Sequence, residues 1–233
     1  MPNFSVVLIV RNESKTLPRL LKSLEEFKAR GGQVCCLDTG STDDTASIAR
    51  AWGCKVEEVG DRFVVKVDEE KARVINEKFC ANNELPILHA GDRQFDYSSA
   101  RNYAATLASN DIIAMPDADE VYTKLDIDAI EKAIAEGVQQ FEYQFVFSHD
   151  EQGRPLIQFL HCKFYDRRVL RWSGVVHEVL QGVATRRYFD KDIIFLEHYQ
   201  NPDTNRSHYL RGLAIDCYEH PDNDRNKIGR AHV

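Results

Sequence analysis

Between residues 4 and 59 the chain alternates short β-branched runs with amphipathic stretches, and that alternation constrains the fold more than any other feature. Phe4–Val10 is apolar almost throughout, the pattern of a strand buried on both faces. Residues 14–30 space Leu17, Leu20, Leu21, Leu24 and Phe27 three and four apart. This predicts one amphipathic helix, N-capped by Ser14 and stopped by Gly31-Gly32. A second strand is expected over 33–37. A second helix over 42–52 would be capped by Thr42 or Asp43 and ended by Gly53, and a third strand follows over 54–59. Strand-helix-strand-helix-strand at this spacing implies right-handed crossovers and a parallel sheet.

Further along, 63–67 reads as a strand, 68–80 as a helix, 85–88 as extended, and 97–108 as a helix opened by Asp96 or Ser98. A strand over 111–115 runs into Asp117-Ala118-Asp119-Glu120. Residues 126–136 predict a helix ending at Gly137. Phe141, Tyr143, Phe145 and Phe147 alternate along a strand over 140–148 and read as core or as a binding platform, with core favoured. A turn over 149–154 returns the chain into a strand over 156–165. Short strands over 169–172, 175–180 and 193–196 and a helix over 206–219 complete the pattern. The expected class is therefore α/β: a Rossmann-like mixed sheet flanked by helices, with a mostly antiparallel C-terminal region. One domain is expected over 1–233, in three stretches: a parallel α/β half to residue 125, a mixed and mostly antiparallel half over 126–200, and a helical tail from 201.

Composition narrows the class. A formal net charge of −7 over 233 residues argues against a nonspecific nucleic-acid binder, although Arg167, Arg168, Arg171, Arg186 and Arg187 could form a local basic patch. No apolar run approaches the roughly 20 residues that span a bilayer, and the N-terminus lacks the pattern of a signal peptide. None of the six cysteines forms a C-x-x-C pair, which reads as free buried thiols in a reducing compartment. These features place the protein in the cytoplasm, free or peripheral at a membrane surface. The chain stops soon after Ile228-Gly229-Arg230, which reads as part of something longer.

In open α/β sheets, ligands bind where the strands end at their carboxyl termini. Three polar clusters fall there: Arg11-Asn12-Glu13, then Asp38-Thr39-Gly40-Ser41-Thr42-Asp43-Asp44, then Asp117-Ala118-Asp119. Two carboxylates one residue apart where a strand turns can converge on a hard cation such as Mg²⁺ or Mn²⁺, which also takes substrate phosphates. The same doublet is compatible with a solvated turn. Asp38 can accept an N–H from a pyrimidine or a ribose hydroxyl, or it can cap its own turn. Arg101, early in its helix, suits a bidentate phosphate clamp or a surface ion pair. His177-Glu178 could supply a metal ligand and a general base, or be an exposed pair; His198 is a second histidine candidate.

The ordered blocks from Phe4 to Glu13, from Asp38 to Thr45, Ala100-Arg101-Asn102, and Asp117-Ala118-Asp119-Glu120 resemble family 2 glycosyltransferases, inverting enzymes of the GT-A nucleotide-sugar-binding fold. Val175-Val176-His177-Glu178 is similar to a block in the subset that includes lipopolysaccharide-core glucosyltransferases. The resemblance implies that Arg11, Glu13 and Asp38 line a nucleotide pocket, with Asp38 on uracil. It implies Arg101 at the diphosphate or base-ribose region, and Asp117 at the ribose or metal. Asp119 would hold Mn²⁺ or Mg²⁺, Glu178 would act as base, and His177 would be a metal or phosphate ligand. The donor would be a nucleotide sugar, UDP-linked by preference. The acceptor would be a saccharide, lipid-linked saccharide, protein or small molecule. Residues 61–96 are longer than the usual link and suggest an acceptor-binding or oligomer-forming element. A nucleotidyltransferase or a silent sugar-nucleotide-binding protein is the alternative. The former would want a Gly-rich basic loop that Arg11-Asn12-Glu13-Ser14 does not provide.

Overall fold

The computed structural model describes residues 1–79, 87–174, 178–199 and 209–219, the last from residue 211 onward in its side chains. These residues fall into two compact units. One comprises 1–60, 102–171 and 182–199; the other comprises 61–79, 87–101, 172–174, 178–181 and 209–219.

In the first unit, strands β1 (Phe4–Val10), β2 (Gln33–Asp38) and β3 (Lys55–Glu58) lie parallel in the order β3-β2-β1. Strand β6 (Ile112–Ala114) joins the other side of β1, also parallel. The sheet continues through β9 (Pro155–Asp166), β8 (Gln140–His149), β13 (Ile194–His198) and β7 (Glu120–Leu125). The β6–β9, β9–β8 and β13–β7 pairings are antiparallel, whereas β13 and β12 (Arg186–Phe189) both run parallel to β8. The parallel half expected from the first 60 residues is present, and the mixed half follows it.

Helix packing explains why one face of β1 is apolar throughout. Phe4, Val6, Leu8 and Val10 pack in one buried cluster with Leu17, Leu20, Leu21, Leu24 and Phe27. These five lie along α1 (Leu17–Ser23) and α2 (Glu25–Ala29), so the expected single helix is in fact two. Pro18 sits in the first turn, where its missing N–H costs nothing, so the helix starts at Leu17 rather than after Ser14. The break falls at Leu24, after the Ser23 hydroxyl turns back to the Leu20 carbonyl at 2.7 Å. Gly32 follows because a side chain there would enter the Phe27 ring: a Cβ would lie 2.5 Å from it. Helix α3 (Thr45–Trp52) begins later than expected, with neither Thr42 nor Asp43 at its cap, and ends at Gly53 in the left-handed region. Helix α6 (Ile127–Ala135) is capped by the Asp126 side chain, and its Ile127, Ile130 and Ala133 join the same core.

The second unit has its own small core of Val67, Ala72, Ile75, Leu88, Ala214 and Ile215. It holds the β4 (Val64–Lys66) and β5 (Arg93–Phe95) hairpin, α4 (Glu69–Phe79), the start of α5 (Tyr97–Ala105) and α7 (Tyr209–Glu219). Asn76 bonds the Leu88 carbonyl at 2.7 Å and accepts the N–H groups of Ile87 and Leu88 at 3.0 Å, which ties the loop to α4. Asp96 caps α5, accepting the Ser99 N–H at 2.9 Å. The expected stretches over 80–86, 175–177 and 200–208 lie outside the described residues. A β10 (Leu170–Ser173) and β11 (Val179–Gly182) ribbon completes the strands. Strands β5, β7 and β12 lie outside the strands expected from the sequence.

Candidate active site

The loops after β1 and β2 are laced together. Asn12 adopts a positive φ of 55°, which asparagine tolerates better than most residues. Its N–H meets Ser41 Oγ at 2.9 Å, and its Oδ1 accepts the Thr42 N–H at 2.8 Å. The Glu13 N–H reaches Thr45 Oγ1 at 2.7 Å, and the Ser14 N–H reaches Asp43 Oδ2 at 3.1 Å. Asp43 and Ser14, expected as caps, therefore join one loop to the other. Bonds from Ser14 and Thr45 outweigh burial and pull the Asp43 carboxyl down to about 2. Arg11 is exposed on this loop, and the Glu13 carboxylate accepts the Thr16 hydroxyl.

Asp38 closes β2 and is 1% exposed. Its Oδ1 accepts the Gly40 N–H at 2.8 Å and the Ser41 N–H at 2.7 Å. So the turn-capping role is real. Its Oδ2 is buried and has no partner among the described residues. A buried carboxylate oxygen left unbonded is costly, and a ligand N–H or O–H would satisfy it.

After β6, Asp117 and Asp119 face different partners. Lys163 Nζ, on β9, donates to Asp117 Oδ2 at 2.5 Å and to Glu120 Oε1 at 2.6 Å. Glu120 Oε2 in turn accepts the Asp117 N–H at 2.8 Å, which fixes the turn. Burial pushes the Glu120 carboxyl up to about 7 against the opposing pull of Lys163. Asp119 Oδ2 lies 3.0 Å from His198 Nε2, and its carbonyl accepts the Tyr199 N–H at 2.8 Å. His198 Nδ1 lies 2.9 Å from the Phe147 carbonyl. Both ring nitrogens face acceptors, an arrangement that favours the protonated imidazole. Burial disfavours that charge, but the Asp119 carboxylate and the Phe147 carbonyl outweigh it and raise the His198 pKa above 6.5.

A carboxylate beside an imidazole is a donor set that suits Mn²⁺, once the ring gives up a proton. No cluster of three or more such side chains occurs among the described residues. From sequence, Glu120 reads only as the last residue of the acidic block, and Lys163 has no local signal, because nothing nearby in the sequence brings residue 163 to residue 117. His198 could be found from sequence only as a histidine ending an apolar strand.

In the second unit Arg101 and Glu178 form a buried ion pair, Nε to Oε1 at 2.7 Å, and the guanidinium stacks 5.0 Å from the Trp172 ring centre. His177 lies outside the described residues. Of the arginines considered as a basic patch, Arg167 pairs with Asp111, Arg168 with Asp166, and Arg187 with Glu136.

A mixed sheet of this order, flanked by helices and with polar loops after its parallel strands, is the GT-A type of glycosyltransferase fold. The model of glycosyl transferase family 2 matches residues 5–71 of the chain. TarS of S. aureus superposes with a TM-score of 0.52 at 15% identity, over 95% of this chain and 40% of TarS. Glucosyl-3-phosphoglycerate synthase of Mycobacterium tuberculosis superposes at 0.50 and 16% identity, over 98% of this chain and 78% of that one. An uncharacterized glycosyltransferase of Rickettsia felis is 25% identical over 84% of this chain and 58% of its own length. A 4,4'-diaponeurosporenoate glycosyltransferase of Staphylococcus haemolyticus is 46% identical over 23% of this chain and 14% of its own length. The chain thus spans about three fifths of the Rickettsia relative. No helix among the described residues is long and apolar enough to cross a membrane.

Proposed function

We propose that this chain is an inverting, divalent-metal-dependent glycosyltransferase that uses a UDP-sugar donor. The observation that carries the reading is Asp38. Its Oδ1 is committed to the turn, and its buried Oδ2 is an acceptor with no described partner at the carboxyl end of the parallel strands. A uracil N3–H is the ligand group that would satisfy it. Glucosyl-3-phosphoglycerate synthase, a protein of the same fold, was crystallised with Mn²⁺, UDP and phosphoglyceric acid, and the same donor class is proposed here.

Arg11 and Glu13 would flank the nucleotide, and Asp117, held in place by Lys163, would meet the ribose. Asp119 and His198 would hold Mn²⁺ or Mg²⁺, and His177 is a further proposed ligand. A bound divalent ion would supply charge stabilisation for the departing diphosphate. Binding it would displace the His198 proton and so make loading weaker at low pH. In the transfer step, the acceptor oxygen attacks C1 of the sugar and the bond from C1 to the diphosphate breaks. The electron pair leaves with UDP, and the acceptor proton passes to a carboxylate base. The base role is proposed for Glu178, and the diphosphate-side role for Arg101, from the family resemblance.

The test is calorimetry with UDP and UDP-sugars, with and without Mn²⁺, alongside an assay for released UDP. Mn²⁺-dependent binding is expected in the wild type, with its loss in Asp119→Ala at unchanged melting temperature. Wild-type binding unchanged by chelator, and equally strong in Asp119→Ala with Mn²⁺ present, would refute the metal role. Absence of any UDP binding would refute the donor class.

A further inference from the structure

The β8–β9 hairpin runs on past the point where β6 stops. Strand β6 pairs with β9 as far as Ala114 and Phe164, and the last link is the Met115 N–H to the Lys163 carbonyl at 2.8 Å. Beyond it, residues 155–160 of β9 are all exposed. They pair with β8 on one edge, and among the described residues no strand pairs with the other edge. The side chains there are mostly apolar on both faces: Leu156 is 65% exposed, Ile157 49%, Phe159 44% and Leu160 57%. An open, apolar strand edge is a template for another extended chain.

We propose that this edge receives an extended polypeptide acceptor by β-strand addition, so that the sugar acceptor is a protein or peptide side chain. The inference rests on the glycosyltransferase reading above. Position is the first argument. β9 is antiparallel to β6, so a strand laid along residues 155–160 would continue the line of β6. Residue 160 lies three residues from Lys163, about 10 Å at ~3.3 Å per residue. One end of the added strand would therefore approach the Asp117–Asp119 turn that Lys163 holds.

Chemistry is the second argument. Main-chain donors and acceptors on the open edge recognise a peptide backbone, and alternate apolar side chains above and below receive its alternate residues. A lipid fits less well, because the hairpin tip carries exposed Glu151 and Arg154. A free saccharide fits less well, because three of the four exposed apolar side chains, at 156, 157 and 160, are aliphatic and only Phe159 is aromatic. In the transfer, the oxygen of a peptide Ser or Thr hydroxyl would form the new bond to C1. The C1–diphosphate bond would break with its electron pair going to UDP, and the hydroxyl proton would pass to the carboxylate base.

The experiment uses the full chain with UDP-glucose and UDP-N-acetylglucosamine, Mn²⁺, and a library of N-acetylated, C-amidated octapeptides. Each peptide has a central Ser or Thr and flanks drawn from Val, Ile, Leu and Thr. Parallel arms replace the library with free oligosaccharides or polyprenyl phosphate. Mass spectrometry is expected to find sugar-sized increments on peptides, and hydrogen exchange to find the amides of residues 156–160 slowed by the library. The double variant Leu156→Lys, Leu160→Lys alters only exposed positions. It is expected to reduce peptide transfer by about tenfold or more, a loss of roughly 1.4 kcal/mol, while donor hydrolysis to water stays as in wild type.

Transfer only to saccharide or polyprenyl phosphate, or equal peptide transfer by the variant, would overturn the inference and leave the glycosyltransferase reading standing. Amides already slowed in the protein alone, with concentration-dependent sedimentation, would assign the edge to a second copy and overturn it too. If neither donor is consumed in any arm, the glycosyltransferase reading fails, and unslowed amides with the library then overturn the edge assignment independently.

Discussion

Replacing Asp38 by asparagine changes one atom in a buried turn, and the structure dictates which one. The carboxylate Oδ1 accepts from the N–H groups of Gly40 and Ser41 at 2.8 and 2.7 Å. In Asp38→Asn those donors hold the amide oxygen in the same place, so the new NH₂ must occupy the position of Oδ2. An acceptor becomes a donor there, at a residue 1% exposed where water offers little relief. A hydrogen bond to a charged group contributes about 1.5–3 kcal/mol. Losing it should weaken UDP binding about 10- to 150-fold. CDP has an unprotonated N3 that accepts where uracil donates, so the variant should bind CDP more tightly than the wild type does. Calorimetry with UDP and CDP on both proteins reads the two constants, and thermal melting checks that the turn survives. A UDP-to-CDP preference unchanged within about twofold would refute Asp38 as the uracil acceptor, because no other consequence of the swap is specific to the base.

Glu178→Gln should retain UDP binding and lose about 10²–10⁴-fold in turnover; unchanged turnover would remove Glu178 as the base. Lys163→Met should destabilise the fold by about 3–5 kcal/mol in urea titration, because Glu120 is left buried without its counter-ion. Adding Glu120→Gln should restore much of that stability, and a double variant as unstable as the single one would show that the ion pair is not the cause. Cys35 and Cys54 are buried, and desolvation pushes their thiols up to about 11 and 12; Cys36 is pushed higher still. Iodoacetamide at pH 8 should therefore leave all three unmodified in the native protein and alkylate them after denaturation, as mass spectrometry would show. Prompt native labelling at any of them would contradict that burial.

The parallel half of the sheet was legible because its signals are local. β-branched runs, three-four spacing of leucines and a glycine at the end of α3 sit within a few residues of the structure they specify. The location of the polar clusters at strand ends followed from the same alternation. Where local rules competed, the reading failed in part: Ser14 has the chemistry of a cap, yet its N–H donates to Asp43 in the neighbouring loop, while Asp43 also accepts the N–H of Thr45 at the start of α3. Strand β12 was missed because its Arg-Arg-Tyr-Phe segment has little apolar alternation and depends on pairing with β8.

What the amino-acid order alone determined, then, is the class of sheet, the strand-end position of Asp38, Asp117 and Asp119, and their resemblance to a sugar-nucleotide site. Only the tertiary structure decided what those acids touch. Lys163 meets Asp117 across 46 residues of chain, and His198 meets Asp119 across 79. Antiparallel pairing of β9 with β6, and of β13 with β7, sets those distances. A side chain's charge, partners and exposed edge depend on which strands become neighbours in the sheet. Sheet neighbours are chosen by burial over the whole chain, which no short window of sequence records.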